Sequence, residues 1–177
     1  MGEVDGRGTG GALEATVNGV AIYSKQVDDF TAMLQVFPAY GLSPSNRPGL
    51  LDHMINQELL RQEAERRHLI PSEAQVTAFV QELSEGFQRD LGASTLPAAL
   101  VNILRGYETA GHPLGSWPED PFIRKIYGSM LAQGLLVEDE TRDIPSTARG
   151  RESAVTARMD RLQARLRGEA RVVVAPR

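Results

Sequence analysis

The spacing of apolar residues changes character early in the chain. Ala15 to Ile22, ATVNGVAI, sets β-branched residues on both sides of Asn18-Gly19, a dipeptide that turns or bulges a strand, and predicts one short bent strand. From Ser24 the period is helical, with Val27, Phe30, Leu34 and Phe37 recurring along one face. Ser24 is expected as the N-cap, with Asp28 and Asp29 early in the helix, where its dipole favours negative charge. This first helix ends before Pro38 to Gly41, and a Pro/Gly/Ser loop leads to Pro48.

The same reading predicts a second helix from about Pro48 to His68, with Leu51, Met54, Ile55 and Leu59 as its apolar stripe. Glu58, Arg61, Glu65 and Arg66 are read as its solvated face, and Ile70-Pro71 as its stop. Ser72-Glu73-Ala74-Gln75 is a capping box, in which the Ser hydroxyl and the Gln side chain each satisfy a free amide at the start of a third helix. Val76, Phe79, Val80, Leu83 and Phe87 carry the buried face of that helix. Leu96, Leu100, Ile103 and Tyr107 mark a fourth helix, ended by Gly111. Asp120-Pro121 reads as N-cap and first residue of a fifth, with Ile123, Tyr127, Met130 and Leu131 inward. Val155, Met159, Leu162 and Leu166 line a last helix, ended by Gly168, and Arg171 to Val174 forms a terminal strand.

The expected fold class is mainly α, with about six helices and one short strand near each end of the sequence. A lone strand cannot satisfy its backbone hydrogen bonds, so the two strands are expected to pair in a two-stranded sheet. Residues 1–13 are Gly-rich and read as a disordered tail, residues 15–174 as a single helical domain, and 138–150 as a linker within it. Gly6, Gly8 and Gly11 match a G-x-G-x-x-G spacing, but they precede the first strand instead of following it, so no dinucleotide site is assigned.

A chain of 177 residues buries enough surface to fold without a disulfide or a structural metal, and cysteine is absent. That absence excludes zinc ribbons, dithiol redox motifs and thiol nucleophiles. The net charge of −4 disfavours a nucleic-acid partner. Charge is unevenly placed, since Thr147 to Arg177 holds eight Arg against Glu152, Asp160 and Glu169. Arg151, Arg158, Arg161 and Arg165 lie off the apolar stripe of the last helix and are read as a solvated face. No apolar run is long enough for a membrane span or forms a signal segment near Met1, so an exported form is expected to have lost its signal.

The chemistry inventory nominates no catalytic set. His53, His68 and His112 lack a helical partner that would make a metal face, and no G-x-S-x-G, P-loop or H-E-x-x-H occurs. Asp28-Asp29, Glu119-Asp120 and Glu138-Asp139-Glu140 sit at helix starts or in the linker, where capping and solubility account for them. No catalytic residue, metal or cofactor is assigned.

Three segments together carry a resemblance: Val17-Asn-Gly-Val-Ala-Ile-Tyr-Ser24, the run from Leu50 to Ala64 (LLDHMINQELLRQEA), and Ile70-Pro-Ser-Glu-Ala-Gln-Val76. Their order and spacing resemble the chaperone domain of SurA/PrsA-type extracytoplasmic foldases, which is similar in fold to the peptide-binding arms of trigger factor. Trp117 to Tyr127 and Leu166 to Val174 extend the resemblance over residues 15–174. Many members insert a parvulin-type prolyl isomerase domain before the closing helix, where this chain has only Glu138 to Gly150. The resemblance therefore implies an extracytoplasmic, ATP-independent chaperone-like protein that binds unfolded or extended polypeptide and is not an enzyme.

Aromatic and Met side chains suit promiscuous contact with such clients, and Met33, Phe37, Phe79, Phe87, Tyr107, Trp117, Phe122 and Met130 are the candidate walls of an apolar groove. The alternative is a dedicated scaffold, or a homodimer built by exchange of the terminal helix and strand. Residual prolyl isomerase activity is the lesser alternative.

Overall fold

The structure, a computed structural model, describes residues 11–36, 42–145, 147 and 150–176. Phe37 and residues 1–10 of the expected tail lie outside the described residues, while Leu13 already opens the first strand. The elements run β1 (Leu13–Val17), β2 (Val20–Tyr23), α1 (Ser24–Val36), α2 (Arg47–Arg66), α3 (Glu73–Gly92), α4 (Ala98–Thr109), a 3₁₀ helix (Leu114–Glu119), α5 (Pro121–Glu140), α6 (Arg151–Glu169) and β3 (Val172–Val174). The mainly α class and the pairing of the chain's two ends are both as expected. The sheet, however, has three strands in the order β2-β1-β3, not two.

The extra strand comes from Asn18 and Gly19. Both take positive φ, 51° and 89°, which is the two-residue hairpin turn whose twist matches that of the flanking strands. The segment expected as one bent strand is therefore a hairpin, with Val17 opposite Val20 and Ala15 opposite Ile22. β3 adds antiparallel to the other side of β1, placing Val172, Val173 and Val174 opposite Val17, Thr16 and Ala15.

The chain divides into two compact units, Met1–Leu60 with Thr156–Arg177, and Arg61–Val155. In the first, Ala15, Val17 and Ile22 on one face of the sheet meet Val27 and Leu34 of α1 and Leu50, Leu51, Ile55 and Leu59 of α2. Leu166, Ala170 and Val172 pack against this cluster. Burial of each such Val, Leu or Ile side chain contributes about 1.5–3 kcal/mol. Arg47 ties the unit's elements from outside the core, donating to Glu14 of β1 at 2.6 Å and to Asp28 of α1 at 2.5 Å. Ser24 is not the cap expected of it. Its hydroxyl accepts from the Ala12 amide at 3.0 Å, and the Gln26 side chain closes the helix start by accepting from the Tyr23 amide at 2.7 Å.

The second unit is built around Trp117, which is fully buried. α3 packs on the 3₁₀ helix and on α5. The expected capping box is present, Ser72 and Gln75 bonding each other's backbone amides. Asp120 is the N-cap of α5, accepting from the amides of Phe122 and Ile123. Gly128 brings α5 close to α3, since a Cβ there would stand 3.3 Å from Val76. α5 continues through Glu140, so the expected linker shortens to the stretch between Thr141 and Gly150.

Candidate functional site

Glu63, Arg66, Arg67, Asp139 and Glu140 of the second unit form a linked set of charges. Glu63 is only 4% exposed and accepts from Arg66 at 2.7 Å and from Arg67 at 2.8 Å. The Arg66 hydrogen bond, with that of Arg67, holds the Glu63 carboxyl down at about 2 against the opposing effect of burial. Burial opposes the charge of Arg67, but its bonds to Asp139, Glu63 and Glu140 outweigh this and raise its pKa. A carboxylate held so firmly in its charged form is an anchor for Arg67 and cannot serve as a general acid at neutral pH.

His112 Nδ1 lies 2.7 Å from Asp120 Oδ2, and its ring stacks on Phe122 with centroids 4.3 Å apart. A carboxylate-oriented imidazole is one element of a hydrolytic triad, but here the nearby Ser116 hydroxyl donates to the Pro113 carbonyl at 2.9 Å. The other Asp120 oxygen, Oδ1, caps α5, so the pair fastens the segment before the 3₁₀ helix to the start of α5. Burial works against ionisation of Asp120, yet the His112 contact and the Ile123 and Phe122 amides lower its pKa overall.

His53 is stacked on Phe30 at 5.4 Å, and burial pushes its pKa down. A shallow cleft of about 340 Å³ in the first unit is lined by Asp52, Asn56, Asp160, Gln163, Ala164 and Arg167. Its lining side chains are tied to one another, for Arg167 bonds Asp52 and donates to Asn56 at 2.7 Å. Among the described residues no group of three His, Asp or Glu is placed to hold a metal, and no helix is long and apolar enough to cross a membrane.

The eight candidate groove residues fall into different environments. Phe87, Tyr107 and Tyr127 surround Trp117 with ring centroids at 5.9, 5.2 and 5.3 Å, and Phe79 meets Tyr127 edge-on. The Trp117 indole donates to the His112 carbonyl at 3.0 Å. Trp117 and Tyr107 are buried and Phe79 and Phe87 half-buried, so this group is the interior of the second unit, not the wall of an open groove. Edge-to-face packing and the one polar atom's partner explain why these large rings close on each other. Met33 is half-buried against the first unit's core. Phe122 is exposed on α5, and so is Met130, which helical spacing places inward beside Ile123 and Tyr127.

The sequence marks the valines of β3 only as a pairing strand, not as part of a site. Val173 and Val174 are 50% and 56% exposed, and with Leu13 and Val20 they supply four of the nine large apolar side chains exposed among the described residues. The signal was an unbroken Val-Val-Val run followed by Pro176, which lacks the alternation of a strand with one face in water. No protein-family model matches the chain, and no curated protein matches it.

Proposed function

We propose that this protein binds unfolded or extended polypeptide without ATP, as a chaperone-like holdase acting outside the cytoplasm. The observation that supports this reading is the apolar surface of a very small sheet, in which β-branched side chains face water at an edge strand. Edge strands of this kind are ordinarily blunted with charge or covered, because they invite pairing with another chain. The second unit by itself exposes an aromatic and a flexible apolar side chain, Phe122 and Met130 of α5, of the types that tolerate varied partners. Docking three or four client side chains at about 1.5–3 kcal/mol each, less the costs of association and ordering, gives roughly micromolar binding. Affinity in that range suits capture and release driven by concentration alone.

The test is aggregation of a reduced and permanently denatured polypeptide, followed by light scattering, together with the anisotropy of the same polypeptide carrying a fluorophore. Suppressed scattering and a saturable anisotropy rise at micromolar protein, without nucleotide, are expected. Absence of both at tens of micromolar protein overturns the reading.

A further inference from the structure

We propose that the outer edge of β3 receives the backbone of a client segment as a fourth strand, extending the sheet to β2-β1-β3-client. This rests on the reading that the protein binds extended polypeptide and specifies how it does so.

The hydrogen bonds around β3 fix which residues face outward. The Asn18 amide donates to the Arg171 carbonyl, and the Ala175 amide to the Glu14 carbonyl, both at 2.9 Å. Arg171 and Ala175 thus turn their backbone groups toward β1, and by strand alternation so does Val173, which lies opposite Thr16. Val172 and Val174 then direct their N–H and C=O groups away from β1, and these bond to no described residue. Two outward residues offer two donors and two acceptors at strand spacing, a pattern that another extended backbone complements.

Pro176 would be the next outward residue and has no N–H, so the open ladder stops after Val174. The sheet's other edge is differently placed. There the Tyr23 amide already donates to Gln26 Oε1 at 2.7 Å, and the chain passes directly into α1.

Side chains reinforce the preference. Val174 stands on the same side of the sheet as its partner Ala15, which is fully buried, yet is itself 56% exposed. A client strand laid beside β3 would set an apolar side chain against Val174 and extend the core layer outward. Val173 offers the same on the opposite side. The site therefore favours short segments that are apolar on alternate residues and free of proline at the inward-facing positions. A second copy's β3 has the same outward groups, but two three-residue strands bury far less than the roughly 1,200 Å² of a stable interface. An unfolded client presents many overlapping segments and so suits a small, weak site better.

The experiment uses the full chain and a short fluorescent peptide of alternating valine and threonine, with an analogue N-methylated on alternate residues. Val174→Pro removes one outward donor and leaves the bonds to β1 in place. Its binding is expected to weaken about five- to tenfold, as for loss of one hydrogen bond plus obstruction of the edge. Val174→Ile should bind like the natural chain, and the N-methylated peptide should bind several-fold more weakly to the unaltered protein, a measurement independent of how any variant folds. If peptide and denatured polypeptide bind but neither Val174→Pro nor N-methylation matters, the edge is not the site and the holdase reading survives. If nothing binds, both fall. A concentration-dependent dimer dissolved by Val174→Pro would assign the edge to a second copy and overturn the proposal.

Discussion

Arg67, the residue immediately after α2, turns its guanidinium back onto Glu63 at 2.8 Å and also reaches Asp139 and Glu140 at the end of α5, at 2.8 Å each. One cation thereby joins three carboxylates from two segments of the second unit, and Glu63 is the buried one. Because its folded pKa, about 2, lies below the ordinary 4.5, its contribution is fully present above pH 4.5 and is lost as pH falls toward 2. Glu63→Gln keeps the shape and removes the charge. It should lower stability at neutral pH by about 1–3 kcal/mol, as for charged hydrogen bonds partly retained elsewhere. Denaturant unfolding of both proteins from pH 7 down to pH 3 checks this. The difference between them should shrink toward the acid end, and parallel curves would contradict it.

Trp117 is the only tryptophan, fully buried, with its indole on the His112 carbonyl. Its fluorescence should be blue-shifted, poorly quenched by acrylamide, and unchanged when a client binds. Trp117→Ala should cost about 3–5 kcal/mol through the cavity left among Phe87, Tyr107 and Tyr127. Trp117→Phe should cost less, about 1–2 kcal/mol, because it mainly deprives the His112 carbonyl of its donor. Strong quenching in the native state would show that Trp117 is not sealed.

Much of the fold was legible from local chemistry. Ser72-Gln75 and Asp120-Pro121 signal helix starts because capping depends only on neighbours in sequence, and both act as such. The pairing of β1 with β3 followed from the need to satisfy two otherwise lone strands. What local reasoning misplaced depends on the rest of the chain. Asn18-Gly19 permits either a bulge or a reversal, and positive φ at both residues decides for the reversal. Tyr107 and Trp117 carry the same aromatic signal whether they line a groove or seal an interior, and only their mutual packing separates the two. The open edge at Val172 and Val174 depends on strand parity, which no side-chain pattern encodes.

Three helices end within the second unit in the same way. α2, α3 and α4 close with paired backbone bonds, Leu69 to Ala64 and His68 to Glu65, Thr95 to Asp90 and Ser94 to Leu91, His112 to Tyr107 and Gly111 to Glu108. The residue after each helix cap is left-handed, with φ of 59° at His68, 55° at Ser94 and 91° at Gly111. Only Gly111, which has no Cβ, adopts that conformation without crowding. Ser94→Gly should therefore raise stability by about 0.5–1 kcal/mol, and Gly111→Ala should lower it by about 1 kcal/mol. Thermal unfolding of the two variants must move in opposite directions for this account to hold.

Asn18 couples the hairpin to the end of the chain. It turns the chain with φ 51°, its amide donates to the Arg171 carbonyl at 2.9 Å, and its side-chain oxygen accepts from the Arg171 amide at 2.8 Å. Asn18→Ala loses the acceptor and adds a residue less tolerant of the left-handed region, for a total of about 1–2 kcal/mol. Asn18→Gly relieves the backbone while still losing the acceptor, and Asn18→Asp keeps an acceptor with similar turn preference. Stability should therefore fall in the order Asp, Gly, Ala, while exchange of the Arg171 amide should accelerate with both Gly and Ala but not with Asp. Because Arg171 immediately precedes β3, fraying there should also weaken peptide binding in the two variants that lose the acceptor. Equal exchange of the Arg171 amide in all three would show that the side chain of Asn18 does not hold the third strand in place.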